Sequence, residues 1–287
     1  MGSVSSLANL SVTRQVLADH GLSAKYSLGQ NFLVNEAIVA KIVALAELEG
    51  ADNVLEIGPG IGTLTMALLQ NAKHVTSIER DADLSAVLAE TLEPWWDSFT
   101  LIQKDALDLQ LSDLGGQEAP NKLVANLPYA VAATVVLDYF QRIESLESAT
   151  VMVQKEVAER LSAQPGSKVY GTPSVKLAWY GTAKSVGNIG RNVFWPAPNV
   201  DSALVRFERH AADDPRNPNN RSVGRDLVFR LIDASFAQRR KTLHAALRKI
   251  VPSGAFERAG IDPTRRGETL DIDEFVALAT ACKELEA

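Results

Sequence analysis

Between residues 50 and 155, short apolar runs alternate with amphipathic stretches. Asn53–Ile57, His74–Glu79, Phe99–Gln103, Leu123–Asn126 and Thr150–Gln154 have the length and continuity of strands buried on both faces. Gly62–Gln70 and Ala82–Leu92 carry helical spacing between them. Such βαβ alternation predicts an α/β fold, a mostly parallel sheet with helices on both faces. Ala183–Ile189 and Ala203–Phe207 are expected to pair antiparallel at the edge of that sheet. Ala211–Asn220 (AADDPRNPNN) is polar with two prolines and reads as a linker or long loop. Beyond it Val223–Phe236, Lys241–Ile250, Ser253–Ala259 and Ile272–Leu285 have helical patterns. The expected organisation is an N-terminal extension and helix over 1–25, an α/β domain over 26–210 and a small all-helical domain over 221–287.

Composition narrows this picture. Of 287 residues 46% are hydrophobic and 22% charged, which supports a sizeable core and argues against wholesale disorder. No apolar run reaches the length of a membrane span, and the start lacks the pattern of a secretory signal. The single cysteine, Cys282, excludes an intramolecular disulfide and argues against a cysteine-based metal site. A cytoplasmic chain without a metal and without a membrane partner is expected, as a monomer. The net charge of −6 argues at first against a nucleic-acid partner. Residues 221–250, however, hold eight Lys/Arg against two acids, so a basic face sits on an acidic body.

The candidate chemistry lies at the ends of the predicted strands. Val54-Leu55-Glu56-Ile57-Gly58-Pro59-Gly60-Ile61-Gly62-Thr63 is a strand entering a glycine loop that opens a helix. Three glycines at alternate positions favour close approach of a ligand over a plain turn. Their G-x-G-x-G spacing is not the dinucleotide fingerprint. Glu79 ends the second strand, where a carboxylate can accept from both ribose hydroxyls; the plainer alternative is an ordinary exposed acid. Asp105, followed by Ala106, can accept from an adenine amine or simply cap a helix. No basic residue in the glycine loop awaits a pyrophosphate, which suits a cationic sulfonium cofactor better than NAD.

Asn126-Leu127-Pro128-Tyr129 closes the fourth strand. The exocyclic amine of adenine is a weak nucleophile because its lone pair is delocalised into the ring. Two acceptors on its N–H bonds, the Asn126 side-chain oxygen and the Leu127 carbonyl, would favour a pyramidal nitrogen with its lone pair free. Pro128 stiffens the turn. Tyr129 offers a ring on which a base can stack. Taken alone, the tetrapeptide is equally well a strand-ending turn packed by Tyr129.

In this order the pieces resemble the small-subunit ribosomal RNA adenine-N6 dimethyltransferases of the KsgA (RsmA) type, from about Tyr26 to Glu274. They are Leu28-Gly29-Gln30-Asn31-Phe32-Leu33, the glycine loop, Ile78-Glu79-Arg80-Asp81, Asp105-Ala106, Asn126-Leu127-Pro128-Tyr129, Val153–Arg160, Phe194–Ser202 and Phe236–Leu243. The resemblance implies a class I, Rossmann-like methyltransferase domain over 26–210 and a helical RNA-binding domain over 221–287. It implies S-adenosylmethionine as cofactor and dimethylation of two adjacent adenines near the 3′ end of 16S ribosomal RNA, within the 30S particle, during small-subunit assembly. Gln30, Asn31 and Leu33 would cover the cofactor and Gly58, Gly60 and Gly62 would line it. Glu79 would hold its ribose, and Asp105 with Ala106 its adenine. Asn126 would face both cofactor and target amine. Tyr129 and Phe194 would sandwich the flipped base, although Phe194 also reads as a core aromatic. Arg239, Arg240, Lys241 and Arg248 would contact RNA phosphates, the alternative being a solvated basic face. Trp195 departs from the family pattern, in which a smaller residue is expected.

Other readings differ in kind. A large-subunit (23S) rRNA adenine-N6 dimethyltransferase conferring antibiotic resistance shares the glycine loop and an Asn-x-Pro-aromatic motif. A DNA adenine methyltransferase would more typically have Pro where Leu127 stands. A noncatalytic assembly factor would not need Glu79, Asp105 and Asn126 together.

Overall fold

The computed structural model describes residues 4–115, 118–128 and 131–286. Asn9 starts α1 (Leu10–Asp19) by accepting from the Ser11 N–H at 2.9 Å, and Asn35 starts α2 (Glu36–Ala46) by accepting from the Ile38 N–H at 3.1 Å. Between them lies the short strand β1 (Phe32–Leu33). Then come β2 (Asn53–Ile57), α3 (Thr63–Leu69), β3 (His74–Glu79), α4 (Leu84–Thr91), β4 (Phe99–Gln103), β5 (Lys122–Asn126), α5 (Ala132–Arg142) and β6 (Ser148–Gln154). The chain continues through α6 (Lys155–Leu161), α7 (Thr172–Ala178), β7 (Gly181–Ile189), β8 (Phe194–Trp195) and β9 (Ser202–Arg209). It closes with α8 (Arg225–Ala237), α9 (Leu243–Leu247), α10 (Ala255–Arg258) and α11 (Ile272–Glu286).

Two compact units emerge: Met1–Ala158 with Lys184–Glu208, and Glu159–Ala183 with Arg209–Ala287. The first is built on a seven-stranded sheet in the order β4-β3-β2-β5-β6-β9-β7, with β4 through β6 parallel and β9 antiparallel to β6. Its central strands are buried almost throughout, which is why they read as continuous apolar runs. Between β2 and β5 the chain order reverses. The carboxyl ends of those two strands therefore border the crevice where open α/β sheets take their ligands. A second, two-stranded sheet pairs β1 antiparallel with β8, matching Phe32 with Trp195 and Leu33 with Phe194.

At the sheet edge the two expected strands lie side by side as β7 and β9, with β8 between them in sequence and β9 joining the pair to β6. The segment Glu159–Ala183, which the sequence reading assigns to the α/β domain, lies in the second unit. Its anchors are specific. The Tyr170 hydroxyl donates to the Leu270 carbonyl at 2.9 Å, and Gly166 N–H to the Glu268 carbonyl at 2.8 Å. Trp179 meets Phe229 edge-on with ring centroids 6.1 Å apart. The polar stretch after β9 is a tied loop. Buried Asn217 donates to the His210 and Ala211 carbonyls, and Asn220 to those of Ala212 and Asp214. The helix expected over Lys241–Ile250 narrows to α9, because Thr242 caps it at the Ala245 N–H.

Candidate active site

Gly58, Gly60 and Gly62 all hold positive φ, at 68°, 61° and 90°. Side-chain-bearing residues rarely adopt that region, so the loop's course requires glycine there. Gly58 N–H donates to the Ile78 carbonyl at 2.9 Å, and Gly62 N–H to that of Pro59 at 3.0 Å, closing a tight turn into α3. A Cβ on Gly58 would stand 3.7 Å from the Pro128 ring and 4.0 Å from the Asn126 carbonyl oxygen. One on Gly60 would stand 3.2 Å from the Phe32 ring. The glycine loop is thus bordered by the turn after β5 on one side and by β1 on the other. Thr63, the first residue of α3, has a buried hydroxyl without a hydrogen-bond partner among the described residues. An orphaned buried donor at the mouth of a glycine cradle suits a polar ligand group. Thr63 was legible only as part of the loop.

Glu79 ends β3 almost fully buried. Its carboxylate accepts from Asp81 N–H at 2.8 Å and from Gly60 N–H at 3.4 Å, tying the β3 end to the glycine loop. Burial pushes its pKa up, opposed by the N–H groups of Asp81, Gly60 and Arg80. These N–H groups leave the carboxylate further lone-pair capacity.

Gln30 is fastened on both ends of its amide: the oxygen accepts from Lys25 N–H at 2.8 Å, and the nitrogen donates to Asp81 Oδ2 at 2.7 Å. Its side chain braces the segment. Asn31 donates to the Gly29 carbonyl at 2.9 Å, and its own carbonyl accepts from Asn126 Nδ2 at 3.5 Å. Leu33 is buried in the β1–β8 pair.

Asp105 caps the turn Ala106–Asp108 by accepting from Leu107 N–H at 3.0 Å, and lies 3.3 Å from Arg80. That is the plainer of its two expected roles, and it leaves Oδ2 facing Arg80. Ala106 is buried, its carbonyl accepting from the Tyr139 hydroxyl at 2.9 Å.

At the end of β5, Leu127 N–H donates to the Met152 carbonyl at 3.0 Å and the leucine side chain is buried. Asn126 and Pro128 are half-buried. Among the described residues no hydrogen bond to the Asn126 side-chain oxygen or to the Leu127 carbonyl is found. Tyr129 lies outside the described residues.

Phe194, expected to stack on a base, is only 4% exposed and belongs to the core cluster that holds Phe32 and Leu33. It pairs across the strands with Leu33. Trp195, half-buried beside it, carries the Arg14 guanidinium 5.0 Å above its ring.

Glu56, inside β2, accepts from the Thr65 and Ser77 hydroxyls at 2.7 Å each. Burial pushes its pKa up to about 7 against those two bonds, with Glu79 adding to the rise.

In the second unit Arg240, Lys241 and Arg248 are exposed. Arg239 is not a free cation: it pairs with Glu268 and donates to the Lys168 carbonyl at 2.9 Å. Among the described residues no cluster of His, Cys, Asp or Glu is arranged to hold a metal, and no helix is long and apolar enough to cross a membrane.

A family model described as "Ribosomal RNA adenine dimethylase" matches residues 21–284. "Ribosomal RNA small subunit methyltransferase A" of Bifidobacterium longum (strain NCC 2705) is 54% identical over 280 residues, spanning 93% of this chain and 91% of that protein. Its namesake in Paenarthrobacter aurescens (strain TC1) is 46% identical over 283 residues, spanning 96% and 93%. A dimethyladenosine transferase from Plasmodium falciparum superposes with a TM-score of 0.73 at 24% identity, over 85% of this chain and 94% of that one, a likeness of fold. The 23S rRNA methyltransferase ErmE superposes at 0.68 with 25% identity, over 88% and 100%.

Proposed function

The chain belongs to the ribosomal RNA adenine dimethylase family, and on that premise we propose that it transfers methyl groups from S-adenosylmethionine to N6 of two adjacent adenines near the 3′ end of 16S ribosomal RNA. Its substrate is the RNA within the assembling 30S particle, and it works as a cytoplasmic monomer. One observation carries the reading: the glycine loop and the Asn126–Pro128 turn are in contact at the point where strand order reverses.

The residues present fit this cofactor. Gly58, Gly60 and Gly62 let backbone approach closely, Thr63 offers an unpartnered hydroxyl, and no Lys or Arg stands in the loop to repel a sulfonium. When bound, S-adenosylmethionine supplies an electrophilic methyl group. Glu79 accepts from the ribose hydroxyls, while Asp105 and Ala106 border the adenine. Asn31 and Leu33 form the cover, and Gln30 holds that cover in place. Asn126 Oδ1 and the Leu127 carbonyl accept from the N–H groups of the target amine, two before the first transfer and one before the second, keeping its lone pair aimed outward; each transfer releases one N–H proton after the methyl group has moved. Holding the nitrogen in line is the main source of acceleration, and no metal is required. Pro128 fixes the turn. Tyr129 and Phe194 flank the flipped base. Arg240, Lys241 and Arg248 meet RNA phosphates, with Arg239 holding their segment.

The fold likeness to ErmE keeps a 23S substrate as the rival. The more similar relatives, 44–54% identical, carry the small-subunit name and favour the 16S reading. Labelled methyl transfer to separated, undermethylated small and large subunits tests the choice: label enters the small subunit. Label confined to the large subunit would contradict it.

A further inference from the structure

We propose that Lys25 and Asp81 form a clasp that fastens the Lys25–Leu33 segment over the cofactor site and sets the rate at which cofactor leaves. The proposal rests on the reading that cofactor lies between the glycine loop and Glu79.

Asp81 is only 6% exposed, yet it is the hub of the segment's polar contacts. Its Oδ1 lies 2.6 Å from Lys25 Nζ and accepts from Asp83 N–H at 3.2 Å; its Oδ2 accepts from Gln30 Nε2 at 2.7 Å. Lys25 reaches Asp83 as well, at 2.6 Å. The same Lys25 donates its backbone N–H to Gln30, so both ends of the Lys25–Gln30 turn converge on one carboxylate from a distant part of the chain. Burial would raise the Asp81 pKa, but the bonds from Lys25 and Gln30 outweigh it, so the carboxylate stays ionised.

The far end of the segment rests on the site itself. Asn31 accepts from Asn126, and Phe32 packs where a Gly60 side chain would be. Asp81 N–H also donates to Glu79, so the clasp is one hydrogen bond from the proposed ribose carboxylate. An exposed ion pair contributes little. Here removing the lysine leaves a mostly buried carboxylate short of its cation, which favours the opened segment. Lys25 and Asp81 are positioning residues: they touch the cover and not the reacting atoms.

Dissociation of S-adenosylmethionine, followed by rapid displacement and read by intrinsic fluorescence, tests this on the full chain. Lys25→Met is expected to raise the dissociation rate and cofactor KM by roughly tenfold, with kcat at saturating cofactor nearly unchanged. Lys25→Arg restores wild-type values, and Asp81→Asn repeats the defect. Salt speeds release from the wild type more than from Lys25→Met. Should Asp81→Asn fail to fold, Lys25→Met decides alone. Wild-type release and KM in a folded Lys25→Met protein overturn the clasp and leave the cofactor reading standing. Absence of cofactor binding by the wild type overturns both.

Discussion

Gly58 and Pro128 face each other across the ends of β2 and β5, with the proline ring 3.7 Å from where a Gly58 Cβ would lie. The parallel register that matches Val54 with Lys122 and Leu55 with Leu123 brings the two loops level. A ligand cradled by the glycines therefore borders the turn that presents Asn126 and Leu127.

Gly60→Ala should damage this cradle at its other wall. The new methyl meets the Phe32 ring at 3.2 Å, and φ of 61° disfavours any L side chain. A loss of roughly 1–2 kcal/mol in stability is expected from the backbone conformation, together with weaker cofactor binding. Thermal unfolding and calorimetric titration check it; wild-type values in both would contradict the proposed packing.

Glu79→Gln keeps the side-chain shape but removes the charge that strengthens its hydrogen bonds. Charge-assisted bonds contribute about 1.5–3 kcal/mol each, so cofactor affinity should fall at least about tenfold. An affinity within about twofold of wild type would remove Glu79 from the ribose site.

Much of this was legible in the sequence because buried parallel strands read directly. Asn53–Ile57, His74–Glu79 and Phe99–Gln103 stand as the apolar runs predict. What escaped was long-range partnering. Nothing local reveals that Gln30 is held by Asp81, that Arg239 pairs with Glu268, or that Leu33 is the cross-strand partner of Phe194. The placement of Glu159–Ala183 escaped for the same reason: Tyr170 is fixed by Leu270, a hundred residues onward. Asp105 shows a subtler limit, since one residue type suits both a cap and a ligand contact.

Glu56 should imprint a pH dependence on stability. Its ordinary value of 4.5 applies unfolded, and burial raises it to about 7 in the fold. Below the lower value both states hold the proton. Between the two the folded state holds it while the unfolded state has lost it, so stability falls as pH rises; above about 7 the penalty is constant. Glu56→Gln removes that titration. The difference in Tm, variant minus wild type, should grow across this window and then level off. A difference independent of pH would contradict the buried, protonated carboxyl.

Arg240→Glu combined with Lys241→Glu should weaken binding to the small subunit and lower its salt slope by about 1 per side chain. Arg239→Glu should instead cost stability, because it sets a carboxylate against Glu268. Affinity measured across salt concentrations separates the two; an unchanged slope in the double variant would remove these residues from the RNA contact.

In the proposed reaction the turn after β5 presents Asn126 Oδ1 and the Leu127 carbonyl to an adenine amine beside the cofactor. Wild-type protein and Asn126→Ala, each shown to bind S-adenosylmethionine, are incubated with undermethylated small subunits, and the modified nucleotides are mapped. Two adjacent dimethylated adenines near the 3′ end with the wild type, and at least a roughly hundredfold slower transfer with Asn126→Ala, are predicted. Equal transfer by the variant would remove Asn126 from the reaction.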